Sequence, residues 1–211
     1  MMKNRILISL LFAVLLLPAC KSQYELLLES NDTEAKYKAA FELYNNKKYN
    51  KAAQMFESLS MLTKGTERDD TVLYYWGASN YNNKDYYTAE TNFEQLINNY
   101  PRSGFAEEGR FLRIDCLFRQ TLRYELDQTP TNRALGEIAD YLREFPQTRY
   151  LATCKKMVDD LTGRLDRKAY EAAKLYYSIE DYLAAHVALK NVLKDNADNR
   201  FREEILYYTA M

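Results

Sequence analysis

Residues 44–59 read YNNKKYNKAAQMFESL, and residues 81–96 read YNNKDYYTAETNFEQL. Nine of the 16 aligned positions are identical, at an offset of 37 residues. Self-similarity of this kind is typical of repeat proteins, and the offset is close to the period of about 34 residues of helix–turn–helix tetratricopeptide repeats. The two segments therefore predict an all-α fold, a tetratricopeptide-repeat solenoid in which antiparallel helix pairs stack into a superhelix.

Each copy places small residues where two helices must touch, and a large residue one turn later fills the groove beside them. The small residues stand 12 apart: Ala40 and Ala52 with Phe56 in the first copy, and Gly77 and Ala89 with Phe93 in the second. Asparagine is poor in the middle of a helix and good in a turn. The Asn-Asn-Lys segments therefore predict turns, and the second helices should begin at Tyr49 and Tyr86.

Two further segments, YPRS at 100–103 and FPQT at 145–148, predict the ends of second helices. Proline cannot continue a helix, and the hydroxyl residue of each segment is expected to be the N-cap of the next helix. The second proline places a degenerate third copy around Ala134 and Ile138. Eight extra residues between its two helices, around 127–132, predict a longer helix end and a loop.

A fourth copy runs through Ala173, Ala185 and Leu189. Apolar residues recur at spacings of three and four before it, which predicts an unusually long first helix over 148–178. A fifth copy begins near residue 205 and stops with the chain. The repeats should thus occupy 34–211, as four full copies and the start of a fifth. A half copy leaves an apolar face uncovered, so we expect either a fragment of a longer chain or a partner that covers the end.

The first residues predict a targeting segment. Lys3 and Arg5 precede an apolar run of 12 residues at 6–17, shorter than the roughly 20 residues that span a bilayer. Such a run is typical of a secretory signal. The run ends in LPAC at 17–20, which resembles the bacterial lipobox. That resemblance implies a signal peptide at 1–19, a lipid on Cys20 and a lipidated linker at 20–33. The alternative is a plain signal peptide with a chance cysteine.

The lipobox, the short linker, the repeat copies and the aromatic-Pro-x-Ser/Thr junctions together resemble the BamD family of lipoproteins. Residues 169–177, AYEAAKLYY, and residues 182–185, YLAA, fit the same family. The resemblance implies a non-catalytic scaffold of the outer-membrane β-barrel assembly machinery. Its partners would be the BamA-type barrel-inserting subunit, other assembly subunits and unfolded outer-membrane proteins. No aspartate follows Cys20, which favours the outer membrane over the inner one, with the protein facing the periplasm.

Two other functions stay open for such a chain. One is a periplasmic tetratricopeptide lipoprotein that coordinates cell-envelope growth. The other is a glycan-uptake lipoprotein whose repeats carry a large carbohydrate-binding insertion, which is disfavoured here because the longest insertion has about a dozen residues.

Stacked helix pairs form an extended concave surface, lined by the first helix of each pair. Four tyrosines fall on candidate inward positions of those helices: Tyr37, Tyr44, Tyr74 and Tyr81. Tyrosine offers apolar area and a hydroxyl at low entropic cost, so we predict that they bind extended client segments. The alternative is that the four side chains pack between repeats.

The residue inventory argues against enzyme, cofactor, metal and nucleic-acid functions. Lysine and arginine number 29 and aspartate and glutamate 30, so no basic surface for nucleic acid is indicated. His186 is the single histidine, no Cys/His cluster has metal-site spacing, and the six glycines form no phosphate loop. Cys116 and Cys154 lie in apolar helical patterns, which predicts small buried hydrophobic residues, with their pairing left open.

Overall fold

A computed structural model describes residues 22–211, so the predicted signal peptide and Cys20 lie outside the described residues. Within 22–211 the chain forms helices and no strand. None of these helices combines the length and the apolar character that a membrane span requires. In chain order the helices are α1 Gln23–Glu29, α2 Thr33–Asn45, α3 Tyr49–Thr63, α4 Asp69–Asn82, α5 Tyr86–Asn99, α6 Ala106–Gln120, α7 Thr129–Glu144, α8 Leu151–Ser178, α9 Tyr182–Asp195 and α10 Arg202–Ala210.

From α2 onward, each helix packs on the next one in the chain. The pairs α2–α3, α4–α5, α6–α7 and α8–α9 are the four helix pairs, and α10 follows them. The predicted close contacts are present, since Ala52, Ala89 and Phe93 are fully buried. At Gly77 a Cβ atom would lie 2.8 Å from Cε1 of Phe93, so only glycine fits there without a shift. The all-α repeat fold predicted from the sequence is confirmed.

The turn inside a pair has the same backbone in three of the four pairs. Lys47, Lys84 and Glu180 have φ values of 57°, 65° and 65°, in the left-handed region. The next residue but one begins the second helix, which for α3 and α5 is the predicted tyrosine. Asp85 and Asp181 cap α5 and α9, accepting from backbone N–H groups at 3.1 Å. The equivalent residue before α3 is Lys48, which makes no side-chain cap.

Lys48→Asp is expected to raise the free energy of unfolding by about 1 kcal/mol, because it supplies the missing N-cap and removes a positive charge from the helix N-terminus. Urea unfolding followed by circular dichroism measures the change. Lys48→Ala is the control, since it removes the charge without adding a cap. Equal stability of the aspartate and alanine variants would contradict the prediction.

The segment 20–33, predicted to be a linker, contains the helix α1. Ser22 and Glu25 form a capping box at its start. Tyr24 Oη donates to the backbone oxygen of Lys51 at 3.1 Å, and its ring packs with Leu27 and Leu28 on the core of the first pair. With only seven residues, α1 is too short for its apolar pattern to be recognised from the sequence.

The hydroxyl residues at the two proline junctions are not N-caps, so that prediction is wrong. Phe105 and Tyr150 occupy the N-cap positions of α6 and α8. Ser103 Oγ instead donates to Asp70 Oδ2 at 2.6 Å, and Thr148 Oγ1 donates to Glu107 Oε1 at 2.8 Å. Each acceptor belongs to the first turn of the preceding first helix, so the hydroxyl ties one repeat to the next.

The long helix α8 has 28 residues and serves two pairs. Its first half packs on α7 through Cys154, Met157 and Leu161, and its second half packs on α9 through Tyr170 and Ala173. The extra residues of the third pair form only a loop at 121–128, and α6 is not lengthened by them.

The two cysteines inside the repeats are fully buried, as predicted. Cys116 lies in α6 and Cys154 in α8, and both thiols are free. Burial raises the pKa of both thiols, so they are held in the protonated form.

Candidate partner-binding surface

The four predicted tyrosines lie on the first helices of the first two pairs. Tyr37 and Tyr44 are on α2, and Tyr74 and Tyr81 are on α4. All four are half-buried. Part of each side chain is therefore covered by neighbours within the fold.

The rings of Tyr37 and Tyr74 lie against the residue that caps the next first helix. The Arg68 guanidinium is 5.0 Å from the Tyr37 ring centre, and Phe105 stacks on Tyr74 at 4.5 Å. The same arrangement recurs in the later pairs, with Tyr150 on Phe111 and Phe201 on Tyr170. This contact joins successive repeats, so the rings of Tyr37 and Tyr74 pack between repeats, as the alternative to client binding predicts.

The rings of Tyr44 and Tyr81 support the turns inside the first two pairs. Tyr44 meets Tyr49 edge-on at 5.5 Å, and Tyr81 meets Tyr86 edge-on at 5.7 Å. In the fourth pair Tyr177 and Tyr182 make the same contact at 5.2 Å, although they were not predicted as binding residues. Each of these contacts between two tyrosine rings links the last turn of a first helix to the first residue of the second helix.

The hydroxyl of Tyr81 belongs to a charged network between α4 and α6. It donates to Asp115 Oδ2, which also accepts from Arg119 Nε at 2.6 Å. The Arg119 guanidinium lies 5.5 Å from the Tyr81 ring centre and 5.1 Å from that of Tyr86. Burial and the hydrogen bond to Asp115 raise the pKa of Tyr81 to about 12. The exposed part of this network is an arginine beside two tyrosine rings, a surface suited to polar and aromatic segments.

The stability of the protein is expected to fall as pH rises from about 10 to about 12, and Tyr81→Phe should make that fall less steep. The folded pKa of Tyr81 lies above its ordinary value near 10, so the protonated hydroxyl stabilises the fold below that pH and this contribution is lost above it. Urea unfolding at a series of alkaline pH values measures the slope. Identical slopes for the wild type and the variant would contradict the prediction.

A basic cleft lies between α8 and the loop 121–128. Arg164 Nη1 donates to Thr121 Oγ1 at 2.7 Å, and Lys168 Nζ donates to the backbone oxygen of Leu126 at 2.7 Å. The Arg167 guanidinium lies 4.4 Å from the Tyr124 ring centre. Two adjoining cavities of about 480 and 500 Å³ share Tyr124, Arg164 and Arg167.

Sequence reasoning missed this cleft. The arginines do recur at helical spacing on α8, but only the tertiary structure brings the loop 121–128 and Arg200 to them. Arg200 crosses α8 at Gly163, where a Cβ atom would lie 2.9 Å from the guanidinium, and its Nη2 donates to Asp159 Oδ1 at 2.5 Å. The absence of a side chain at Gly163 therefore leaves room for the Arg200 side chain to pass over α8.

Over the residues that the structure describes, no group of three or more histidine, cysteine, aspartate and glutamate side chains could hold a metal ion. His186 Nδ1 lies 3.1 Å from the backbone oxygen of Thr209, a contact between α9 and α10. His186 thus has a structural partner within the last repeats.

The sequence is similar to two curated proteins. It is 22% identical over 182 residues to the outer membrane protein assembly factor BamD of Caulobacter vibrioides, covering 86% of this chain and 60% of that protein. It is 29% identical over 206 residues to a putative outer membrane protein assembly factor BamD of Aquifex aeolicus, covering 97% of this chain and 67% of that protein. This chain therefore spans 60% of the length of the first relative and 67% of the length of the second.

The model of the family YfiO, described as outer membrane lipoprotein, matches residues 29–210. That range includes every helix from α2 to α10. The match covers well over half of the chain, and the repeats, the turns and the junctions all lie inside it. This protein therefore belongs to the YfiO family of outer membrane lipoproteins.

Proposed function

We propose that this protein is a non-catalytic scaffold in the assembly of outer-membrane β-barrel proteins, anchored by a lipid on Cys20 and facing the periplasm. The observation that carries the proposal is the alignment of two relatives named as assembly factors over 86% and 97% of this chain. A scaffold also fits the fold, because stacked helix pairs present an extended surface to other chains.

The proposed partners are a BamA-type barrel-inserting subunit, other assembly subunits and unfolded outer-membrane proteins. Two surfaces could receive extended client segments. One is the first-helix surface around Tyr37, Tyr44, Tyr74 and Tyr81, whose side chains pack within the fold and remain partly exposed. The other is the basic cleft on α8.

A mild-detergent pull-down of the lipidated protein from its native envelope, followed by mass spectrometry, tests the proposal. We expect a BamA-type barrel protein in stoichiometric amount, and depletion of the protein should lower outer-membrane protein levels. Reproducible recovery of peptidoglycan enzymes or glycan-uptake proteins in its place would overturn the assembly function. Cys20→Ala is the control for the anchor, since it should release the protein from the membrane fraction.

The client surface is tested separately, by titrating a urea-denatured barrel protein, diluted from denaturant, against the purified chain. Arg167→Glu should weaken client binding several-fold if the cleft receives clients, because it reverses a charge beside Tyr124. Arg143→Glu is the matched control, since Arg143 is 79% exposed on α7 and pairs with its helical neighbour Asp140, as Arg167 pairs with its helical neighbour Glu171. Equal affinity of both variants would remove the cleft from the proposal.

A further inference from the structure

We propose that the first repeat lies with its turn 46–48 directly on the membrane, where Lys47, Lys48 and Lys51 contact anionic lipid head groups. This inference rests on the proposed lipid at Cys20. It goes beyond that anchor because it gives the solenoid one orientation relative to the bilayer.

The direction of α1 shows at which end of the first pair its N-terminus lies. Tyr24 Oη contacts the start of α3, at the Lys51 backbone oxygen and at Gln54 Oε1, 2.9 Å away. One turn later the Leu28 backbone oxygen accepts from Ser58 Oγ at 3.3 Å, farther along α3. Helix α1 thus runs parallel to α3, and its N-terminus lies at the end of the pair that carries the turn 46–48.

Cys20 is two positions before Ser22, where the described chain begins, with only Lys21 between them. Two residues of extended chain reach about 7 Å at most. A lipid on Cys20 therefore enters the bilayer close to the start of α1, and hence close to the turn. The opposite end of the pair is a helix length away, since the 15 residues of α3 span about 22 Å.

Helix α1 is held on the first pair by contacts of Tyr24 near its start and Leu28 near its end, so the start of α1 has a defined place on that pair. Ser22 Oγ accepts from the Glu25 N–H, and Glu25 Oε2 accepts from the Ser22 N–H at 2.7 Å. At the other end, Lys36 Nζ donates to the Leu28 backbone oxygen at 2.9 Å and to Ser58 Oγ at 2.5 Å. Lys36 is only 2% exposed, so this contact is shielded from water.

The charge of the turn favours contact with anionic lipid head groups. Lys47, Lys48 and Lys51 are all exposed. Clusters of basic residues beside a lipid anchor are attracted to anionic head groups and strengthen membrane attachment. Of the acidic residues in the helices that flank the turn, Glu25 is engaged in the capping box, and Glu42 lies one turn before the end of α2.

The position of Lys48 supports a role outside the fold. The equivalent residue is a capping aspartate before α5 and before α9. Lysine there leaves α3 uncapped and places a positive charge at a helix N-terminus, where it is unfavourable. Such departures from the locally stable choice are expected where a residue serves function.

The experiment uses the full lipidated chain on vesicles of equimolar phosphatidylcholine and phosphatidylglycerol that contain a lipid spin-labelled at its head group. A fluorophore is attached at Asn46→Cys, beside the lysines, or at Glu67→Cys, beyond the far end of α3. Both native repeat cysteines are fully buried, and the labels therefore react at the introduced thiol. We expect several-fold stronger quenching at position 46 than at position 67.

Two changes separate charge from proximity to the anchor. Omitting phosphatidylglycerol, or combining Lys47→Glu, Lys48→Glu and Lys51→Glu, should reduce quenching at position 46 several-fold, whereas Lys64→Glu at the other end of α3 should not. Equal quenching at both labels would overturn the orientation. If quenching at position 46 stays the same without phosphatidylglycerol and in the charge-reversed protein, the contact with anionic lipid is overturned. Circular dichroism confirms that the charge-reversed protein remains folded.

The outcomes also separate this inference from the proposed function. A chain that carries no acyl mass and leaves the vesicles overturns the lipid anchor and the inference together. A lipidated chain that copurifies with a BamA-type protein, but shows equal quenching at both labels, overturns the inference alone.

Discussion

Phe93→Ala is expected to lower the free energy of unfolding by about 3 to 5 kcal/mol, because it leaves a cavity in a closely packed core. Phe93 is fully buried on α5. Its ring lies 2.8 Å from the position of a Cβ atom at Gly77 on α4, and 3.9 Å from that position at Gly109 on α6. One side chain therefore holds three consecutive helices together, and the surrounding backbone limits how far the cavity can collapse.

Urea unfolding monitored by circular dichroism measures this loss. Tyr87→Ala is the matched control, since Tyr87 lies on the same helix and is 76% exposed; its effect should stay within about 0.5 kcal/mol. In a solenoid each repeat contacts only its neighbours, so the second pair should unfold before the rest in the Phe93 variant. Hydrogen exchange would detect this as lost protection in α4, α5 and α6. A loss below about 1 kcal/mol would contradict the packing role.

Gly77→Ala is expected to destabilise the protein by about 1 to 3 kcal/mol, whereas Gly136→Ala should stabilise it by about 1 kcal/mol. Both glycines lie inside helices, so alanine improves helix propensity at each site. At Gly77 the new Cβ would stand 2.8 to 3.0 Å from three atoms of the Phe93 ring, which is fully buried and cannot move aside. At Gly136 nothing lies within 4 Å of the new atom.

The paired glycine variants separate packing from propensity, because only the surroundings of the two sites differ. Thermal and urea unfolding of both variants shows whether each substitution raises or lowers the free energy of unfolding. Stabilisation by Gly77→Ala would mean that α4 and α5 can move apart without lowering the free energy of unfolding. The close contact inferred from the repeat would then contribute nothing to stability.

The four predicted tyrosines illustrate how a repeat pattern can conceal a structural role. Tyr37 and Tyr74 recur at the repeat offset because each ring receives the N-cap residue of the next first helix. Tyr44 and Tyr81 recur because each ring supports the turn that follows it. Their binding of clients stays a prediction, and the exposed arginine beside Tyr81 is the feature that favours it most.

The sequence by itself determined the repeat fold, the turns and the small-against-large contacts of the first two pairs. These features depend on residues within one repeat. Because the two copies share the same residues at these positions, each feature is predicted independently by both copies. Helix starts at Tyr49 and Tyr86 and the close approach at Gly77 follow from local turn chemistry and side-chain size.

Only the tertiary structure decided the contacts between repeats. Ser103 and Thr148 were expected to cap the helices beside them, but their hydroxyls reach carboxylates 33 and 41 residues earlier in the chain. Helix α1 is too short to be seen without the first pair that it packs on, and the basic cleft needs a loop and an arginine from separate parts of the chain. A recurring tyrosine or hydroxyl residue does not reveal which distant residue it contacts, because that partner is set by how the helices pack, so the order of side chains alone could not identify these contacts.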